Sequence, residues 1–294
     1  MTITRRHFLT GATGIIGAST LVTAGYAGAI EPALRLVVTE YNLTPPGWPR
    51  DFPLKIAVIA DPHAAEPYMG AGRIEEIVAT TNALAPDLVV LLGDFEANYR
   101  FKTRAVPREI WARLWAECRA PLGVRTILGN HDWWFNHLKI RAALDAAGLP
   151  VMENDAVRLV HRGRPFWLLG LGDQIAHIRG PHHYEGVDDL SGTLAKVTDD
   201  SPAILLAHEP DIFVEVPERV SLTLAGHTHG GQIRMFGYSP IVPSSYGNRF
   251  AYGHIIENGR HMIVSGGLGC SFAPVRLGVP PEIVLVRLGN FTQA

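Results

Sequence analysis

Two cysteines in 294 residues, Cys118 and Cys270, are too few for a disulfide framework. A single bridge is open to them outside the cytoplasm, but two buried thiols are the expectation. Net charge is also slight, at −2 with a pI of about 6.7, so no broad basic surface exists to hold a phosphate backbone. That excludes a dedicated nucleic-acid binder, and no nucleic acid is expected as a partner. Internal repeats, low-complexity tracts and long charge runs are missing, and no acidic residue precedes Glu31. What the chain does hold is 30 glycines and 21 prolines, which imply many tight loops, and 13 histidines.

The histidines become informative where apolar runs end. Residues 220–225 read as a buried strand and lead into Gly226-His227-Thr228-His229-Gly230-Gly231, where two histidines two apart can leave an extended backbone on one side. Residues 54–60 lead in the same way into Asp61-Pro62-His63, and Pro62 is expected to hold Asp61 in extended geometry. Residues 87–92 lead into Gly93-Asp94, residues 124–128 into Gly129-Asn130-His131-Asp132, and residues 203–207 into His208-Glu209-Pro210. Each motif alone has an ordinary reading as a turn, cap or strand terminator. Five strands that all end in metal-capable side chains need a single cause, and the carboxyl ends of strands are where open α/β sheets place their sites.

In this order the motifs resemble those of the calcineurin-like metallophosphoesterase superfamily, across roughly residues 54–288. Gly226-His227-Thr228-His229-Gly230-Gly231-Gln232-Ile233 and the ending from Gly266-Gly267-Leu268-Gly269 to Val279-Pro280-Pro281-Glu282-Ile283 are similar to the bacterial YkuE- and YaeI-type phosphodiesterase subgroup. The resemblance implies an α/β fold of two packed mixed β-sheets flanked by helices, four layers in the order α/β/β/α. It implies two divalent metal ions, manganese favoured over iron or zinc. Asp61, His63 and His229 would hold the first ion, Asn130, His208 and His227 the second, and Asp94 would bridge. A site with two carboxylates against four positive charges stays net positive and attracts phosphate oxygens. Ions about 3.5 to 4 Å apart would polarise the phosphoryl group and lower the pKa of a shared water, so that hydroxide attacks phosphorus in line. His131 matches the family position that faces substrate, to stabilise the transition state or protonate the leaving oxygen. Asp132 could orient His131 or cap its loop. Where many relatives carry a further Asp or Asn after Gly-Asp, this chain has Phe95-Glu96-Ala97-Asn98.

The beginning of the chain carries a second signal. Thr4-Arg5-Arg6-His7-Phe8-Leu9 precedes an apolar stretch over residues 11–29 and resembles a twin-arginine export signal. Residues 1–29 are therefore expected to be a signal peptide or anchor, with Ala27-Gly28-Ala29 a small-residue cleavage site, and residues 30–294 a single metallophosphoesterase domain. This implies the twin-arginine export machinery as a partner, a periplasmic or outward-facing anchored location, and membrane contact through the N-terminus.

Helical spacing is expected over 73–84, 107–120 and 138–147, and further strands over 157–161, 165–171, 254–257, 261–265 and 283–288. His182 and His183 read as loop residues, and Trp133 and Trp134 as a wall of the site. Arg249 and Arg276 could pair with a phosphate or with a structural carboxylate. The expected function is hydrolysis of a phosphodiester or pyrophosphate in the cell envelope, on a lipid-linked or wall-linked substrate. The alternatives are a phosphomonoesterase and an idle metal-containing binding protein.

Overall fold

Apolar runs become buried strands here because their side chains divide between two cores. In the computed structural model, which describes residues 20–97 and 102–290, Leu54, Ile56 and Val58 enter one core while Ala57 and Ile59 enter another. Leu88 and Val90 divide from Val89 and Leu91 in the same way, the period of two that a pleated strand imposes.

The strands of the two large sheets are β1 (Val37–Leu43), β2 (Leu54–Ile59), β3 (Leu88–Leu91), β4 (Val124–Thr126), β5 (Asp155–His161), β6 (Arg164–Gly170), β7 (Ala203–Leu206), β8 (Leu222–Ala225), β9 (Gly253–Glu257), β10 (Arg260–Val264) and β11 (Glu282–Leu288). The first sheet runs β1-β11-β2-β3-β4 and the second β9-β10-β8-β7-β6-β5. Both are mixed. In the first, β2, β3 and β4 are parallel and β11 is antiparallel to β2; in the second, β6, β7, β8 and β10 are parallel with antiparallel β5 and β9 at the edges.

The sheets pack through Leu54, Ile56 and Val58 of β2 against Phe166, Leu168 and Leu206 of the second sheet. Helices α1 (Ala71–Ala83), α2 (Arg108–Trp115) and α3 (Asn130–Ala146) cover the outer face of the first sheet with Ile77, Trp111, Trp115 and Leu144. The short helix α4 (Leu190–Ala195) and the 3-10 turns Pro210–Val214 and Gly247–Phe250 cover the second sheet through Leu194, Phe213 and Phe250. The result is the four-layer α/β/β/α arrangement.

Several boundaries differ from the sequence expectation. Strand β1 was not foreseen, because Thr39-Glu40-Tyr41-Asn42 breaks the apolar run; an edge strand tolerates this, since its outer side faces solvent. Helix α3 begins eight residues before 138, at Asn130, and contains non-helical geometry at Asn136, which is what hides its period. Helix α2 stops at Trp115, short of 120. Part of the 181–184 loop is ordered, His183–Glu185 pairing antiparallel with His177–Gly180. The Arg5-Arg6 pair lies outside the described residues, as does Asn98. Near the expected cleavage site the chain packs on the domain: the Ala27 carbonyl accepts from the Arg276 N–H and the Glu31 carboxylate from the Val279 N–H. Among the described residues, no helix is long and apolar enough to cross a membrane.

Cys118 and Cys270 are free and buried. Burial pushes the Cys118 thiol up to about 12, with the Glu117 carboxylate adding to it, and burial also raises Cys270. Neither thiol should react with iodoacetamide at pH 8 in the folded protein, whereas both should react in denaturant; mass spectrometry of the alkylated chain distinguishes the two states.

Candidate metal centre

Five strand ends deliver the cluster. Asp61 and His63 follow β2, Asp94 follows β3, Asn130 and His131 follow β4, His208 follows β7, and His227 and His229 follow β8. Three ends belong to one sheet and two to the other, so the cluster sits where the carboxyl ends of both sheets meet. Asp61, His63, Asp94, Asn130, His208 and His229 are each 2 % exposed or less.

The local backbone differs from the extended geometry expected of the paired motifs. Asp61, His63, Asp94, His227 and His229 all have φ between 45° and 69°. The strands have already ended at Ile59 and Ala225, so these residues lie in loops, and Pro62 does not hold Asp61 extended. Left-handed backbone costs an L-residue roughly 1–2 kcal/mol. Hydrogen bonds from the Asp61 N–H to the Gly93 carbonyl and from the His63 N–H to the Asp94 carbonyl help to hold it. Glycine is required beside them: a Cβ on Gly93 would lie 2.2 Å from the Gly129 nitrogen, and one on Gly129 would lie 2.4 Å from Asp94 Oδ1.

The i, i+2 histidines separate. The ring of His229 stacks on His63, with the two Nε2 atoms 3.1 Å apart, whereas the ring of His227 meets His208 edge-on. Potential ligand atoms accordingly gather as Asp61, His63 and His229 in one group and Asp94, His208 and His227 in another; a third group joins His63, Asp94 and His131. Asp94 Oδ2 is 3.5 Å from His63 Nε2 and 3.3 Å from His208 Nε2. Asn130 Oδ1 is 3.1 Å from His208 Nε2 and 2.9 Å from His227 Nδ1.

These donors suit divalent cations. Burial holds the His63 imidazole down to about 4 and that of His227 to about 3, and lowers His229 as well, so all three are neutral near pH 7 and keep a lone pair for a metal. His63 Nδ1 and His208 Nδ1 lie 3.0 and 2.6 Å from the carbonyl oxygens of Glu96 and Leu92, contacts that direct each Nε2 into the cluster. Burial pushes Asp61 up to about 7, against the pull of His208. For His208 burial acts downward, but Asp94, with Glu209 and Asp61, outweighs it and raises the imidazole well above its usual range. A cation would replace the proton that these buried groups retain. Asn130 Nδ2 and His131 Nδ1 are buried without a protein partner, as expected of side chains shaped for something further.

His131 opens onto a cleft of about 540 Å³, walled by Trp134, Tyr184, Pro243 and Phe272. Its Nε2 is 3.4 Å from Ser271 Oγ, and Trp134 stacks on Tyr184. Trp133 instead packs into the core beside His137, so only Trp134 of the pair lines the cleft. Asp132 does not bond the His131 ring: its carboxylate accepts the N–H groups of Gly129, Asp94 and Phe95, which is the capping reading, extended across two loops. Arg249 pairs with the structural carboxylate of Glu257. Sequence reasoning missed the position of Arg276, which is fully buried, bonds the Gly269 and Val279 carbonyls and brings Nη2 to 3.1 Å from His229 Nδ1. It also missed Ser271 and the buried Asp173–Glu209 carboxyl pair near His208; no spacing signal marks any of these.

Four layers with an Asp, His and Asn cluster at the strand ends define a metallophosphoesterase. Residues 54–231 match the model of the calcineurin-like phosphoesterase family, and the chain belongs to that family. It is 31 % identical over 296 residues to the uncharacterized metallophosphoesterase YkuE of Bacillus subtilis (strain 168), covering 97 % of this chain and 98 % of that protein. It is 29 % identical over 305 residues to phosphodiesterase YaeI of Escherichia coli (strain K12), covering 97 % and 99 %. With a Bos taurus transmembrane protein with metallophosphoesterase domain it shares 28 % over 300 residues, 97 % of this chain and 64 % of that one. The protein is a metal-dependent phosphoester hydrolase.

Metal competes here with the protons on Asp61 and His208, so affinity for Mn²⁺ should rise with pH through about 7. Loading at about 100-fold above Kd should raise Tm by about 5 °C or more. Scanning calorimetry with and without chelator, repeated at pH 6 and pH 8, reads both effects; a Tm indifferent to metal would contradict them.

Proposed function

We propose that this protein is a two-metal phosphodiesterase or pyrophosphohydrolase of the cell envelope. The observation that carries the reading is the convergence on Asp94, whose Oδ2 faces His63 from one ligand group and His208 from the other. In this reading Asp61, His63 and His229 hold one ion, Asn130, His208 and His227 the second, and Asp94 both. A donor set of nitrogen and oxygen without thiolate suits manganese, with iron and zinc in range. Bound ions would supply Lewis acidity at the phosphoryl oxygens and a nucleophilic water at neutral pH.

The chain's own residues do the rest. His131, lowered by burial, is a neutral imidazole lining the cleft and can donate an N–H to the departing oxygen. The bond from its backbone N–H to Asp94 Oδ1, at 2.8 Å, keeps it in register with the ligands. The cleft extends to Trp134 and Tyr184 on one side and to Pro243 and Phe272 on the other, room for a substituent on each side of phosphorus. That favours a diester or pyrophosphate over a monoester.

Hydrolysis of a bis-aryl phosphodiester beside an aryl phosphate monoester, with metal counted in each variant, tests the assignment. Asn130→Ala should lose metal and activity together. His131→Ala should keep metal and lose turnover by about 10²-fold or more. Loss of metal in both variants would refute the division of roles, and faster turnover of the monoester would reverse the substrate class.

The envelope location rests on Arg5-Arg6 and the apolar residues that follow, with residues 1–29 directing export of a domain over 30–294. Replacing Arg5 and Arg6 by lysine should leave the protein in the cytoplasm on fractionation; normal export of that variant would remove this part of the proposal.

A further inference from the structure

We propose that this protein docks on a lipid bilayer through the 235–238 hairpin and Phe272, so that its cleft takes its phosphoester from the membrane interface. Met235 and Tyr238 exchange both backbone hydrogen bonds, N–H to carbonyl, which makes Phe236-Gly237 a two-residue turn with φ of 52° and 80°. Asn-Gly or Asp-Gly would build that turn readily. Here a phenylalanine is held left-handed at the tip, fully exposed, where it contributes nothing to the core.

Its surroundings continue the pattern. Met235 is 53 % exposed, Tyr238 62 %, Ile241 75 % and Phe272 72 %. Residues 235–243 contain no charge. The hairpin is the excursion between two walls of an apolar slot of about 150 Å³: the chain leaves it at Ile233 and returns at Ile241, with Phe272 and Val275 opposite. Pro243, Ser271 and Phe272 line both this slot and the catalytic cleft, so an amphiphile could place phosphate at the metal centre and hydrocarbon in the slot. Single exposed apolar residues are ordinary, but several of them grouped on one hairpin and on the slot wall beside a site mark an interaction surface.

The attachment point of the N-terminal segment identifies the occupant. The apolar stretch over 11–29 joins the domain at Ala27, whose carbonyl accepts from the Arg276 N–H, one residue beyond the slot wall at Val275. Leu21 and Val22 in that segment are exposed. Hairpin, slot and apolar segment therefore attach to the same 271–279 stretch. Separate aromatic and aliphatic protrusions without charge fit a fluid interface, where Phe, Tyr and Ile partition favourably. The inference rests on the hydrolase reading only for what the cleft does with the lipid; docking is measured without turnover.

The test uses the full chain with Phe236→Cys, labelled with an environment-sensitive fluorophore, since both native thiols are buried. On vesicles of phosphatidylethanolamine and phosphatidylglycerol the label should shift to the blue and be quenched by spin-labelled lipid. The same label on Val160→Cys, on the exposed edge strand β5, should do neither. Phe236→Asp should weaken vesicle affinity about tenfold while leaving hydrolysis of a soluble aryl diester unchanged. The proposal is overturned if the protein does not float with vesicles, if it floats while the label at 236 stays in water, or if Phe236→Asp binds as the parent does. A blue shift without vesicles, with a dimer in analytical ultracentrifugation, would assign the surface to a second copy instead. An inactive parent in the diester assay would sink the proposed phosphodiesterase reading while the docking readout stands.

Discussion

The Asp94 carboxylate is the constraint around which the metal centre is built. It is 1 % exposed, so its charge has little help from water. Burial pushes its pKa up, yet His208 and His131 outweigh that and hold the carboxyl well below its usual range. The surrounding structure keeps it in place. Gly93 lets β3 pass close to Gly129, Asp132 gathers the N–H groups of Gly129, Asp94 and Phe95, and the His131 N–H bonds Oδ1. Two carboxylates, Asp94 and Asp132, thus tie the loop after β3 to the start of α3, and so set the positions of Asn130 and His131 on the first turn of that helix.

That arrangement explains why the ligands were readable in the sequence and their geometry was not. Short apolar runs such as 203–207 and 220–225 read as strands buried on both faces, as 203–206 and 222–225 are, so the residue types just beyond them report the site directly. The order of motifs does the rest, because parallel strands bring successive carboxyl ends to one edge. Local backbone differs from the expectation for a physical reason: spacing of two implies extended chain only while the strand continues, and β2 and β8 stop two residues before the first of their ligands. Of the five left-handed residues, Asp61, His63, Asp94 and His227 are held by backbone N–H bonds to groups distant in sequence, which no local pattern announces.

Less legible still were the supports. Edge strand β1 carries too many polar residues to show a period, and Asn136 interrupts the helix that begins at the Asn130 ligand. Asp132 has the same identity whether it orients a histidine or caps two loops; only its partners decide. The Asp173–Glu209 pair is invisible for a related reason. Asp173 is raised by burial and then by the neighbouring Glu209, so the pair carries less charge than its sequence suggests. Glu209 adjoins His208 in sequence, but Asp173 is brought to it by the pairing of β6 with β7, which no motif marks.

Arg276 joins the parts of the molecule that sequence reading keeps apart. A permanent cation with no exposed surface needs several acceptors, and it finds the carbonyls of Gly269 and Val279. Those bonds brace the glycine-rich loop that closes over Asp61, while the guanidinium beside His229 opposes protonation of that ligand after burial has already lowered it. The backbone N–H of the same residue holds the Ala27 carbonyl, where the apolar N-terminal segment meets the domain. Arg276 thus contacts Ala27 through its backbone and the ligand His229 through its guanidinium. Position 276 is where the metal centre and Ala27 meet.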